Sequence, residues 1–173
     1  MADVFVLNDG TISKYEGRLY DTLDSHPNGA TFRNVFFDNQ LLAEEYINCT
    51  FINCRASYSG SGCGAIAFRT YGCNFTNCSA VVNMATTDNT FGKGVGGLVG
   101  GAEGGSFVDC STEGTVVGDD HVGGLIGCAS DGVLIKDCWS SCRVLGNELV
   151  GGMFGSLDAG IEYKQCVVSN WCA

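Results

Sequence analysis

A single proline in 173 residues, two histidines and only nine lysines and arginines set the first limits on this chain. Against those nine bases stand 19 acids, a formal net charge of −10, and no basic run occurs anywhere. That balance excludes nucleic acid and an anionic lipid surface as partners. No apolar run reaches 18 residues, so no membrane-spanning helix is expected. The opening MADVFVLNDG lacks a basic region followed by an apolar stretch, and a secretory signal is not expected from it. Charged residues make up 16% and hydrophobic ones 45%, which excludes disorder over most of the length.

Glycine and cysteine are abundant, at 26 and 11 residues. No strict triplet period accompanies the glycine, so collagen is excluded. Without a signal, the cysteines read as reduced thiols made in a cytosol, not as a disulfide framework. Their order is informative. Cys54, Cys78, Cys110, Cys138 and Cys166 close the phrases FINC, FTNC, FVDC, IKDC and YKQC at intervals of 24, 32, 28 and 28 residues. A second phrase runs beside them, VGGLVG at 95–100 and VGGLIG at 122–127, continued by VGGMFG at 150–155. Leu98, Leu125 and Met153 mark its register, and a step of 32 back from Leu98 lands on Ile66 in the worn copy GCGAIA. Two independent markers therefore agree on an internal repeat, with units at about 62–93, 94–120, 121–148 and 149–173 and a less regular one at about 30–61.

Within each unit the local period is two. Cys73 with Phe75, Gly105 with Phe107, Val133 with Ile135 and Ile161 with Tyr163 fall on common faces. Asn77, Asp109, Asp137 or Gln165 follows, and then the small apolar cysteine. Short strands punctuated by Gly, Asn and Asp at this interval predict an all-β parallel β-helix (β-solenoid) of about five rungs over residues 31–173. At a strand spacing of about 4.8 Å the rod would be about 20–25 Å long. Two roles suit the glycines: left-handed bends between walls, and close approach of another backbone. Residues 1–30 stand outside the repeat. VFVLNDGTISKY predicts a hairpin, and the segment is expected to serve as a cap or attachment segment.

The segments GVGGLVG…GGSFVDCSTEGTVVG and HVGGLIG…DGVLIKDCWSSCRVLG resemble the GLUG motif, a repeat of bacterial surface and secreted proteins, over about 92–173. The resemblance implies a β-helical, adhesin-like segment and specifies no activity. Residues 32–54 also loosely resemble pentapeptide repeats, without sustaining the five-residue step.

Cys49, Cys54, Cys73 and Cys78 could form a four-thiolate zinc site, but later units repeat the second cysteine alone, which favours core packing. Glu103, Asp131 and Asp158, and Asp88, Asp119, Asp120 and Glu148, form two acidic sets at turns. Carboxylates one rung apart could bind calcium or flank a glycosidic bond, yet no GGxGxD-type calcium repeat is present and acidic turns are usually just solvated. His121 beside Asp119 and Asp120, with Cys128, makes a weak nucleophile–base pairing, and His26 stands beside Pro27. Asn48, Asn74 and Asn77 open formal glycosylation acceptors inside the repeat. The reading therefore assigns no catalytic, cofactor-binding or metal-ligating residue and no cofactor. It expects a non-enzymatic structural or adhesive solenoid, foremost a phage or virion appendage (fibre, tip or decoration) made in the host cytoplasm. An exported bacterial adhesin is the alternative, and a polysaccharide-acting enzyme a third. The expected partners are further copies of the chain, a trimer foremost, in contact through the glycine columns Gly96–Gly97, Gly123–Gly124 and Gly151–Gly152. A larger virion or cell-surface assembly and a glycan or host-surface receptor complete the set.

Overall fold

The computed structural model describes residues 3–6, 12–15, 28–38, 45–86 and 94–169. Every regular element among them is a β-strand. The strands stack in parallel as a β-solenoid with three principal walls. Wall one holds Thr31–Arg33, Thr50–Ile52, Asn74–Thr76, Ser106–Val108, Leu134–Lys136 and Glu162–Lys164. Wall two holds Phe36–Asp38, Arg55–Gly60, Ser79–Ala85, Ser111–Val117, Trp139–Leu145 and Val167–Val168. Wall three holds Glu45–Ile47, Ala67–Tyr71, Val99–Glu103, Ile126–Ser130 and Phe154–Leu157. A short fourth sheet, Val95–Gly96, Asp120–Gly123 and Glu148–Gly151, enters only in the later turns.

Register follows the expected repeat. Thr31 pairs with Thr50, Thr50 with Asn74, Asn74 with Ser106, Ser106 with Leu134 and Leu134 with Glu162. Successive turns thus take 19, 24, 32, 28 and 28 residues. Ile66 donates its N–H to the Leu98 carbonyl at 3.0 Å, so the worn glycine phrase lies where its spacing placed it.

Alternation of side chains turns each wall's apolar set inward. In wall one that set is a single column: Phe32, Phe51, Phe75, Phe107, Ile135 and Tyr163. Its first four rings stack at centroid distances of 4.8, 4.4 and 4.6 Å, with planes within 13° of parallel. In wall three the inward column runs Tyr46, Thr70, Ala102, Ala129 and Leu157. Tyr46 sits edge-on to Phe32 and Phe51, filling the early turns that lack the fourth sheet.

The chain turns from wall one into wall two through a residue held in the left-handed region. Asn34, Asn53, Asn77, Asp109, Asp137 and Gln165 all have φ between 52° and 54°. Asn and Asp tolerate this conformation better than other residues with a Cβ. Side-chain hydrogen bonds link the first three: Asn53 Nδ2 donates to Asn34 Oδ1 at 3.2 Å, and Asn77 Nδ2 to Asn53 Oδ1 at 2.9 Å.

The N-terminal strands Asp3–Val6 and Ile12–Tyr15 pair antiparallel as the sequence predicted. Asp3–Val6 also runs antiparallel to Thr31–Arg33, occupying the outer edge of wall one at that end.

Candidate functional site

The glycine phrase builds an internal joint. Gly96, Gly97, Gly123 and Gly124 do not adopt positive φ, which corrects the expectation that they serve left-handed bends. They are there because other backbone is close. A Cβ on Gly96 would lie 2.5 Å from the nitrogen of Gly127 and 2.7 Å from the α-carbon of Ile126. One on Gly127 would lie 2.4 Å from the nitrogen of Val95, and one on Gly155 at the same distance from the nitrogen of Val122. The fourth sheet therefore lies directly on wall three of the following turn, backbone against backbone, and only glycine allows that approach. Along the column, a Cβ on Gly97 would come 2.2 Å from the Gly124 carbonyl oxygen, and one on Gly124 equally near that of Gly152. The space is filled by the chain itself, so Gly96–Gly97 and Gly123–Gly124, all buried, offer no contact to another subunit. Gly151 and Gly152, in the last turn, are partly exposed. Leu98, Leu125 and Met153 carry the apolar side chains of the phrase into the core.

The cysteines form columns, not a metal centre. Cys54, Cys78, Cys110, Cys138 and Cys166 each follow the left-handed residue and point inward at the corner. Cys54, Cys78 and Cys138 each donate an S–H to a wall-one carbonyl of the preceding turn, those of Phe32, Phe51 and Phe107, at 3.5 Å. Cys49 and Cys73 belong to a separate column that continues through Gly105, Val133 and Ile161. Cys49, Cys54, Cys73 and Cys78 are thus split between two columns. No group of three ligating side chains suited to a metal occurs among the described residues. Neighbouring thiols, Cys138 before Cys78, and then burial push the Cys110 thiol well above its ordinary range. Burial also raises the Cys142 thiol above its ordinary value. All ten described cysteines are free thiols, eight of them buried.

The acidic residues at the turns differ in their surroundings. Glu103 is held by Arg69, whose guanidinium also lies over the Tyr71 ring at 4.6 Å. Asp119 accepts from Asn147 Nδ2 at 2.6 Å, and Asp120 stacks in register with Glu148. Asp131 occupies a turn at φ 56°, and Asp158 is exposed at the end of wall three. His121 pairs through Nδ1 with Asp120 at 2.8 Å at the start of its strand, while Cys128 lies on Ile126–Ser130. His26 and Asp88 lie outside the described residues. Asn48, Asn74 and Asn77 are exposed, and Asn77 is engaged in the amide ladder.

Two grooves mark the surface of the described residues. A groove of about 660 Å³ follows the corner between walls one and two, lined by Asn34, Asn53, Asn77, Phe36, Arg55 and Ser79. A second groove of about 220 Å³ shares Ser79 and continues along wall two to Trp139. The register carries Phe36, Arg55, Ser79, Ser111 and Trp139 across wall two as one outward column. Amides, hydroxyls and a guanidinium between two exposed aromatic side chains suit a polar ligand with apolar faces. This groove was not legible in the sequence, because pairing across wall two decides which residues become neighbours.

Residues 91–117 match the family model of the GLUG motif. No curated protein and no solved structure matches the chain.

Proposed function

We propose that this chain is a non-enzymatic structural rod of a virion appendage, attached through residues 1–30 and presenting wall two outward. One observation carries the reading. The inward columns continue in register from turn to turn, so the residues that define the repeat are consumed in making a stiff, uniform support. Buried free thiols support synthesis and folding in a reducing cytosol, the compartment in which virion parts are made. The groove between Phe36 and Trp139 supports contact with a glycan on a host surface. The GLUG motif favours a second reading, a bacterial surface adhesin, because its resemblance is to surface and secreted proteins.

Fractionation of the producing culture separates the two. Immunoblotting should find the chain co-sedimenting with purified particles and missing from the washed cell envelope. Recovery in the envelope alone would replace the virion reading with the adhesin.

A further inference from the structure

The outward column of wall two carries opposite chemistry at its two ends. Register sets Arg55 between Phe36 and Ser79 and continues through Ser111 to Trp139. At a strand spacing of about 4.8 Å, Arg55 and Trp139 stand about 14 Å apart. Both side chains are exposed. Described strands flank the pair, Phe36–Asp38 before Arg55 and Val167–Val168 after Trp139, so both lie within the stack.

The Arg55 end offers donors. Among the described residues lining the larger groove, Arg55 alone is charged. The ion pairs of the described residues engage Arg69, His121, Lys136 and Lys164 and leave the Arg55 guanidinium to the solvent. The chain has 19 acids against nine lysines and arginines, yet no described acid pairs with this one. The amide ladder beside it has the same polarity. Asn53 and Asn77 each spend one amide N–H on the ladder and keep a second, while Asn34 keeps both. A guanidinium fork beside spare amide N–H groups matches a planar carboxylate, which accepts two parallel bonds and has lone pairs left over.

The Trp139 end is different. Glu113, exposed, lines the smaller groove with Ser111 and Trp139. Its carboxylate accepts from sugar hydroxyls and repels an anion. The indole offers a flat apolar face to a sugar ring. A carboxylate is thus welcome at one end of the column and opposed at the other.

We propose that the two grooves form one site for a glycan that carries a single carboxylated sugar at its end. The carboxylate lies on Arg55, and neutral sugars run past Ser79 and Ser111 to Trp139. This rests on the reading of the groove as a glycan contact and names the class of glycan.

Nuclear magnetic resonance titration of the full chain, followed at the Trp139 indole N–H and the Asn53 and Asn77 side-chain amides, tests it. The probes are sialyllactose, which is lactose bearing one terminal carboxylated sugar, then lactose itself, and trigalacturonate with a carboxylate on every unit. Sialyllactose should shift both ends of the site and bind about tenfold more tightly than lactose. Added salt should weaken sialyllactose and leave lactose unchanged. Arg55 is exposed, so its variants keep the fold, as circular dichroism will verify. Arg55→Ala should remove the advantage of sialyllactose without affecting lactose, and Arg55→Lys should restore only part of it. Trigalacturonate should bind more weakly than sialyllactose, and Glu113→Gln should narrow that gap. Equal binding of sialyllactose and lactose overturns the proposal and leaves the glycan contact standing. An Arg55→Ala variant that keeps the preference, or tightest binding by trigalacturonate, overturns it in the same way. No shift with any of the three probes overturns the proposal and the glycan contact together.

Discussion

Phe75 and Phe107 stack across one turn with ring centroids 4.6 Å apart and planes 6° from parallel. Each ring is fully buried, and Phe75 also stacks on Phe51 at 4.4 Å. Removing the Phe75 ring leaves a cavity between two aromatic neighbours. Phe75→Ala should cost about 3–5 kcal/mol in urea unfolding. Phe36→Ala, on the half-exposed outer face of wall two, should change stability by under about 1 kcal/mol.

The glycine joint predicts an effect on folding. A Cβ on Gly124 would lie 2.2 Å from both the Gly152 carbonyl oxygen and Ser140 Oγ. Gly124→Val should abolish the cooperative melt and the β-sheet circular dichroism signal. Gly160→Ala meets nothing within 4 Å and is opposed only by its φ of 89°. That variant should fold, at a cost of about 1–2 kcal/mol. Folded but dissociated Gly124→Val protein would return the glycine column to an intersubunit role.

At the wall-one corner, Asn53 combines φ 54° with a place in the amide ladder. Asn53→Ala strains the backbone and removes both side-chain hydrogen bonds, and should cost about 1–3 kcal/mol in chemical denaturation. Asn53→Gly relieves the strain and should cost less than the alanine variant. Equal losses in the two would show that the backbone conformation is unimportant there.

Native alkylation followed by mass spectrometry should modify Cys128 and Cys166 first, the two described thiols with partial exposure. The eight buried ones should react only after unfolding. Burial also holds Cys166 above the ordinary thiol range, which slows it further at neutral pH. Disulfides linking the columns would overturn both the packing and the cytosolic synthesis.

Much of this architecture was legible before any coordinates. Cys54, Cys78, Cys110 and Cys138 mark one corner because a small apolar side chain fits there, and their intervals set the length of most turns. The Ile66–Leu98 contact shows that even the worn phrase kept register. Less legible was which residues bend. Both Gly96 and Asn77 suit a left-handed turn by type, but only Asn77 occupies one. The distinction depends on how near the next backbone comes, and a single sequence carries no trace of that distance. The fold of the short fourth sheet onto wall three was hidden for the same reason. So was the groove from Asn34 to Trp139, assembled from residues more than a hundred positions apart.

The central claim is a parallel solenoid whose wall-one side chains form one column, and nuclear Overhauser contacts among ring protons test it most directly. Phe75 ring protons should show cross-peaks to both Phe51 and Phe107, and Phe107 should contact the Ile135 methyl groups. Phe51 and Phe107 should show none to each other, because Phe75 lies between them. Cross-peaks between Phe51 and Phe107 with Phe75 left out, or sequential amide contacts of helical type through 74–80, would contradict the account.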